Sequence, residues 1–223
     1  MHRRCCLLAC GAAAVLCAGG AVGGAARADE IKVLTSGGVA AALQALVPEL
    51  ERATRAAVVT TEGATLSNGR DAIPDRLARG EAFDVVIMSA TAIDDLIKAG
   101  RIASGTRVDL ARSGIGMAVR AGSKTPDIST VDGLKQALLN ARSVAYSSSI
   151  SGVYLTDELF PKLGIAGEMA SKSRRIDGER VGAVVARGEA EIGFQQVSEL
   201  VPIAGIAFVG PLPAAVQDRK SVV

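Results

Sequence analysis

Three short loops rich in serine, threonine and glycine are the places where this sequence could bind a ligand. They are Thr35–Gly38, Gly63–Asn68 and Tyr146–Gly152. Each follows a strand-like segment and precedes a helix-like one, so parallel strands would bring all three to the sheet edge where open α/β folds bind ligands. Helix N-termini and hydroxyl groups both donate hydrogen bonds to anions. Each loop alone is better explained as a helix cap and turn; the three together favour a cleft for a small anion.

Charged side chains supply further candidates for ligand contact. Three arginines could meet an anion: Arg174, Arg175 and Arg180. Three aspartates could hold a hard metal ion: Asp84, Asp94 and Asp95. The alternative for both groups is an ordinary solvated surface, since charged residues are mostly exposed. No metal site is therefore predicted.

The elements that must position these loops alternate along the chain. Strands are predicted at 31–36, 57–61, 84–88, 108–110, 115–120, 143–146, 169–176, 191–195 and 206–209. Helices are predicted at 39–55, 71–79, 91–99, 131–141, 153–163 and 179–187, with a kink or break at Pro48. This alternation predicts an α/β fold with largely parallel sheets.

One five-residue sequence occurs twice. Ala78–Ala82 and Ala186–Ala190 both read Ala-Arg-Gly-Glu-Ala, and each is predicted to close a helix and lead into a strand. Arginine in the last helical turn suits the helix dipole, and glycine suits the cap. The repeat indicates either two similar α/β lobes or the same helix stop used twice.

The N-terminus has the pattern of a secretory signal peptide. His2, Arg3 and Arg4 precede an uncharged apolar stretch, which ends in Ala26-Arg27-Ala28. Residues 1–28 are therefore predicted to be removed on export to the periplasm. A membrane anchor and a lipoprotein processed at Cys10 are the alternatives.

Removal of residues 1–28 would leave a chain without histidine or cysteine, since His2 and all four cysteines lie in that segment. Imidazole and thiolate catalysis would then be excluded, as would thiolate zinc sites. Acidic residues would outnumber basic ones by one, which leaves no nucleic-acid footprint. We therefore predict no enzymatic activity and no cofactor. An enzyme that uses carboxylates or a hard metal is the remote alternative.

The chain ends in Asp-Arg-Lys-Ser-Val-Val. This sequence matches one reading frame of a common sequencing adapter, so residues 218–223 are predicted to be a non-native tail. A genuine short polar tail is the alternative.

Several motifs resemble the molybdate-type periplasmic binding proteins of ABC importers. They are the strand–Ser36-Gly37-Gly38–helix opening, Arg76–Ala90 (RLARGEAFDVVIMSA), Ser151–Tyr154 and Glu189–Leu200 (EAEIGFQQVSEL). The resemblance covers Ile31 to Gln217. It implies a two-lobed fold, each lobe a mostly parallel sheet flanked by helices, with a hinged cleft between. It places lobe 1 at 29–110, completed by 201–217, and lobe 2 at 111–200.

The resemblance also implies how the anion is held, by hydroxyls and backbone N–H groups. The family's tyrosine position falls on Gln196, and Arg180 would add a positive charge, so both could mark a carboxylate or larger oxyanion in place of molybdate. The implied ligand-binding residues are Ser36, Gly37, Thr65, Ser67, Ser151, Gly152, Arg180 and Gln196.

The predicted function is that of the periplasmic solute-binding component of an ABC importer. Its partners would be a small anion (molybdate or tungstate favoured, a carboxylate as the alternative) and the membrane permease, and the protein would be a monomer. A secreted sensor or scavenger domain is the other alternative.

Overall fold

The computed structural model describes residues 29–66 and 70–218. The predicted signal peptide, Ser67 and residues 219–223 of the predicted tail lie outside the described residues. The strands are β1 (Glu30–Thr35), β2 (Ala57–Glu62), β3 (Val85–Ile87), β4 (Ile115–Arg120), β5 (Val144–Ser147), β6 (Ser173–Ile176), β7 (Ile192–Gln196) and β8 (Ile206–Pro211).

Short helices connect most of these strands. They are α1 (Gly37–Thr54), α2 (Ile73–Ala78), α3 (Ala90–Lys98), α4 (Val131–Asn140), α5 (Ile150–Tyr154), α6 (Phe160–Leu163), α7 (Ala166–Ala170), α8 (Val181–Ala186) and α9 (Val197–Leu200). A π-helical turn, Leu155–Leu159, joins α5 to α6, and a 3₁₀ turn at Ala214–Val216 follows β8.

The strands form two sheets. The first sheet has three parallel strands in the order β2-β1-β3. The second has five strands in the order β6-β5-β7-β4-β8, in which β5 pairs in parallel with β6 and β7, and β4 runs antiparallel to β7 and β8. Helices flank both sheets, which confirms the predicted α/β fold with parallel sheets.

The second sheet carries the larger hydrophobic core. All residues of β7 are buried, as are the first five of β4. Both strands are apolar along most of their length, as expected for strands covered on both faces. The first sheet has two smaller clusters, around Leu34 and Val33 on opposite faces of β1. Both tyrosines pack against the larger core, and Tyr154 Oη donates to Val216 O at 2.8 Å.

Local structure differs from the sequence-based prediction in four places. Helix α1 continues through Pro48 without a break. Residues 166–170 form α7, and only 173–176 of the predicted 169–176 strand is extended. The strand predicted at 108–110 does not form, and α9 was not predicted.

The C-terminal segment contributes β8 to the second sheet. The sequence placed residues 201–217 with the first lobe, but β8 pairs with Gly116–Arg120 of β4. This pairing satisfies backbone groups of β4 that would otherwise form an open edge. The resemblance counted residues 201–217 with lobe 1, whereas strand pairing joins β8 to the second sheet, because the partner of a strand depends on the whole sheet.

Candidate ligand-binding cleft

A cavity of about 570 Å³ lies where the carboxyl ends of strands from both sheets face each other. The loops after β1, β2 and β3 line it from the first sheet, and the loops after β5, β6 and β7 line it from the second. The lining residues that bear on function are Ser36, Gly37, Gly38, Glu62, Thr65, Asp71, Ser89, Ser147, Ser148, Ser149, Glu179, Arg180, Gln195, Gln196 and Glu199.

The N-terminus of α1 forms one wall. Ser36 is buried at the N-cap, and its backbone N–H donates to Ile87 O at 2.8 Å. A Cβ at Gly37 would lie 2.5 Å from Glu199 Oε1, and one at Gly38 would lie 2.7 Å from Gln196 Oε1. A side chain at either position would therefore displace the end of Glu199 or Gln196, which lie directly against the helix start.

The loop after β5 forms the opposite wall with a triangle of hydroxyls. Ser147 Oγ lies 2.7 Å from Ser149 Oγ and 2.9 Å from Ser151 Oγ, and Ser149 Oγ lies 3.1 Å from Ser151 Oγ. Ser151 is only 1% exposed, so it supports the other two hydroxyls from beneath. A Cβ at Gly152 would collide with the carbonyl oxygen of Ser147, so glycine there lets α5 pack closely on β5.

A buried carboxyl group lies where α9 meets α1. Glu199 is 8% exposed, and its Oε1 accepts a hydrogen bond from Gln195 Nε2 at 3.0 Å. Gln195 Oε1 in turn accepts from Val181 N at 2.9 Å, at the start of α8. Glu199 also accepts from the backbone of Gln196, as expected for a glutamate three residues after an N-cap. These bonds hold the carboxyl group in one place.

Burial raises the pKa of the Glu199 carboxyl from 4.5 to about 7, because loss of water disfavours the charged form. The positive charge of Arg180 and the hydrogen bond from Gln195 oppose this rise, and the negative charge of Glu62 adds to it. Glu199 therefore exists in both protonation states near neutral pH.

One ion pair joins the two sheets across the cavity. Arg180 Nη2, at the N-cap of α8, lies 3.7 Å from Glu62 Oε2, at the end of β2. Both side chains remain partly exposed, so the pair contributes little stability. Among the described lining residues, four acidic side chains accompany this one arginine. Glu179, one of the four, is held by Arg187 at 2.9 Å.

Two buried polar atoms at the cleft lack a hydrogen-bond partner within the described part of the chain. They are Ser89 Oγ, at the N-cap of α3, and Gln196 Oε1, at the N-cap of α9. Buried polar atoms are normally paired, so such atoms in a cavity lining are suited to bonding a ligand.

The structure brings most of the predicted ligand-binding residues together. Ser36, Gly37, Thr65, Arg180 and Gln196 line the cavity. Ser151 and Gly152 lie behind the lining, where one supports the serine hydroxyls and the other permits close packing. Ser67 falls outside the described residues.

The other charged candidates lie away from the cavity. Asp84 accepts from Lys32 N at 2.8 Å, and Asp94 pairs with Arg107 at 2.9 Å. Arg174 and Arg175 pair with surface carboxylates. Among the described residues, no cluster of His, Cys, Asp or Glu could hold a metal ion, and no helix is long and apolar enough to cross a membrane.

Sequence reasoning missed Glu62, Gln195 and Glu199. Glu199 lies within the Glu189–Leu200 motif. A glutamate soon after an apolar strand was the one pattern that could have marked it as a candidate. Its burial follows from the contact between α9 and α1, which no local pattern reveals.

The chain belongs to the bacterial extracellular solute-binding proteins, because the model of that family matches residues 31–222. Membership implies a small solute ligand, a transporter partner and a periplasmic or secreted location. An aconitate isomerase from a Pseudomonas species is 46% identical to the chain over 187 residues, which cover 84% of this chain and 71% of that protein.

Solved structures with the same fold include two molybdenum-related binding proteins. The periplasmic molybdate-binding protein of Azotobacter vinelandii matches with a TM-score of 0.66 and 18% identity, over 86% of this chain and 83% of that one. The substrate-binding domain of a molybdenum ABC transporter from Clostridium difficile matches with a TM-score of 0.60 and 18% identity, over 88% and 81%. These matches confirm the two-lobed periplasmic-binding-protein fold, and at this identity they show the fold alone.

The prediction that the chain has no enzymatic activity is contradicted by its relative. A protein 46% identical over most of the chain is named as an isomerase. The predicted lack of histidine and cysteine excluded imidazole and thiolate chemistry, but it left carboxyl groups available for acid–base work.

Proposed function

We propose that this chain binds a small organic polycarboxylate in the cleft and interconverts the cis and trans forms of aconitate. The observation that carries the proposal is the 46% identity to an aconitate isomerase across 84% of the chain. Molybdate binding rests on the sequence resemblance and remains the competing prediction.

The cleft has groups suited to a polycarboxylate. Arg180 can form a paired, two-bonded contact with one carboxylate. The N-terminus of the 18-residue helix α1 and the hydroxyls of Ser147 and Ser149 offer neutral donors to the others. A cavity of about 570 Å³ also fits the size range of small-molecule sites.

The reaction requires only a proton transfer. Aconitate has a central carbon that bears a carboxylate and lies between a CH₂ and a CH= carbon. Removing a proton from the CH₂ carbon and adding one to the CH= carbon moves the double bond to the other side. The product is again aconitate, in either geometry. No oxidant, reductant or second substrate is consumed.

Capture by closure of two lobes fits this chemistry, since exclusion of water strengthens electrostatic interactions in a site. We propose lobes at 29–110 and 111–200, with β8 counted with the second. Export to the periplasm after removal of residues 1–28, a monomeric state and delivery to an ABC permease complete the proposal.

The test combines turnover with binding. Purified protein is incubated with cis-aconitate, and formation of the trans isomer is followed by proton NMR. Calorimetric melting is recorded with cis-aconitate, trans-aconitate, molybdate, tungstate, sulfate and phosphate. A ligand at about a hundred times its Kd should stabilise the protein by about 2.7 kcal/mol.

We expect turnover, and stabilisation by aconitate but not by molybdate. Arg180→Met should weaken aconitate binding at least tenfold, and Arg175→Met, on the surface of the same lobe, serves as the matched control. Stabilisation by molybdate or tungstate alone, without turnover, would overturn the proposal in favour of an oxyanion-binding protein.

A further inference from the structure

Building on the proposed function, we infer that Glu199 is the catalytic residue that removes and returns the proton during isomerisation, and that Gln195 is its positioning residue. The inference rests on where the carboxyl group lies, on how it is held and on the charges around it.

Glu199 is placed where a bound anion would meet it. It lines the cavity together with Ser36, Gly37 and Arg180. Its Oε1 lies against the first turn of α1, as the 2.5 Å distance to a Cβ at Gly37 shows. A carboxylate seated at the N-terminus of α1 would therefore place its adjacent carbon atoms next to Glu199.

Gln195 fixes the carboxyl group from the other side. Its amide links Val181 N, at 2.9 Å, to Glu199 Oε1, at 3.0 Å. Gln195 is only 4% exposed, so its side chain has little freedom to move. An acid–base group held in this way keeps one orientation between proton removal and proton return.

The other acidic residues of the cleft are less suited to this role. Glu179 accepts two hydrogen bonds from Arg187, at 2.9 and 3.0 Å, which occupy both of its carboxylate oxygens. Glu62 and Asp71 are exposed to solvent. Among the described lining carboxyls, only Glu199 is deeply buried, and this burial raises its pKa to about 7.

The step balances without any other reactant. The ionised Glu199 takes a proton from the CH₂ carbon of aconitate, and the electron pair left behind forms a new double bond to the central carbon. The electrons of the old double bond spread onto the carboxylate of the former CH= carbon. Glu199 then returns a proton to that carbon, so the enzyme ends in its starting state.

The first experiment compares Glu199→Gln with Glu168→Gln, an exposed glutamate on α7 that serves as the matched control. Loss of a general acid–base group typically lowers the rate about 10²–10⁴-fold. We expect a kcat loss in this range for Glu199→Gln, with the Kd for aconitate from calorimetry changed less than about fivefold. The control should match the wild type in both.

The second experiment follows the pH dependence of kcat/KM, which a merely structural glutamate would not alter. Burial is the main cause of the raised pKa of Glu199, and Arg180, Gln195, Glu62 and the backbone of Gln196 adjust it. Activity should rise with pH through about 7, as the basic form appears. Gln195→Met removes a hydrogen bond to the charged form, so the rise should move to higher pH. Glu62→Gln removes a neighbouring negative charge, so the rise should move to lower pH.

The outcomes separate this inference from the proposed function. Wild-type turnover with full kcat in Glu199→Gln would overturn the role of Glu199 and leave the isomerase proposal standing. Wild-type protein that binds aconitate but does not isomerise it would overturn both. Reduced kcat with retained binding, together with opposite shifts in the two neighbour variants, would support both.

Discussion

The same helix–turn–strand–helix motif occurs twice in the described structure, and the two occurrences differ in burial and in the residues that they place at the cleft. The first unit, residues 73–92, and the second unit, residues 181–199, each run helix, turn, strand and helix start. The turns are identical in sequence, with Gly80 at φ 81° and Gly188 at φ 77°. In both, the arginine before the glycine pairs with the glutamate after it, at 2.8 Å for Arg79 and 2.6 Å for Arg187.

Both units also end in the same way at the cleft. Ser89 occupies the N-cap position of α3 and Gln196 that of α9, and each lines the cavity with a buried polar atom that has no hydrogen-bond partner among the described residues. Three residues further on, the first unit has Ala92 and the second has Glu199. The two units therefore supply polar groups to the cavity from both sides, whereas the proposed proton-transfer group comes from the second unit.

The strands between turn and cap differ in position. β3 is an edge strand of its sheet, and Val85 is 42% exposed. β7 lies between β5 and β4, and every residue in it is buried. The turn is thus a local feature, while the burial that tunes Glu199 depends on the place of the unit in the whole molecule.

The largest effect should come from truncating the central strand. Phe194 in β7 is fully buried, so Phe194→Ala should destabilise the protein by about 3–5 kcal/mol. Val85→Ala in β3 should cost less than about 1 kcal/mol, because the side chain is already partly in water. Chemical denaturation of both variants measures the difference. Equal losses would mean that the two strands are equally buried in solution.

The second effect concerns Glu199, to which the first unit has no counterpart. Folding raises its pKa from 4.5 to about 7, so the folded protein holds the proton more tightly than the unfolded chain. The resulting stabilisation is fully present below pH 4.5 and is lost as the pH rises through 7. The loss should be about 3 kcal/mol.

Glu199→Gln provides the reference for this measurement. Carboxyl groups with lowered pKa values, such as Asp127 and Glu191, act in the opposite direction in both proteins and cancel in the difference. Denaturation between pH 4 and 8 should show wild-type stability falling relative to the variant. A constant difference across this range would show that Glu199 is not buried as described.

The smallest effect tests the similarity of the turns. Gly80→Ala and Gly188→Ala each place a side chain in the left-handed region, at a cost of about 1–2 kcal/mol. A Cβ at Gly188 would lie 3.3 Å from the flexible end of Arg120, and none of the described atoms lies within 4 Å of one at Gly80. Thermal melts should therefore give similar losses. A much larger loss at Gly188 would show that the second turn is packed against its surroundings.

Local signals predicted much of the fold. The strand at 115–120 was predicted with its observed bounds, because it is a continuous apolar run, and both repeated turns were recognised from their Arg-Gly pair. The differences between prediction and structure involve distant partners. The pairing of β8 with β4 depends on which sheet has an open edge, and α7 forms where Met169 and Ile165 reach the larger core.

The site was predicted in the same uneven way. The serine and glycine loops have a local signature and could be predicted to lie at the carboxyl ends of parallel strands, although those strands belong to two sheets that face each other across the cavity. Glu199 has no comparable signature, because the local sequence does not distinguish a buried glutamate near a helix start from an exposed one. Its burial and its pKa arise from α1, Gln195 and Arg180, which converge on it from distant parts of the sequence.

The location of the two tyrosines determines which part of the protein tyrosine fluorescence can monitor during unfolding. Tyr146 and Tyr154 both lie in the second sheet's half of the structure, and the sequence contains no tryptophan. Tyrosine fluorescence therefore follows the unfolding of one half, while far-ultraviolet circular dichroism follows the backbone of both. Coincident melting curves from the two signals would show that contacts across the cleft join the halves into one cooperative unit. Separate curves would show that the first sheet unfolds in a step that tyrosine fluorescence does not detect.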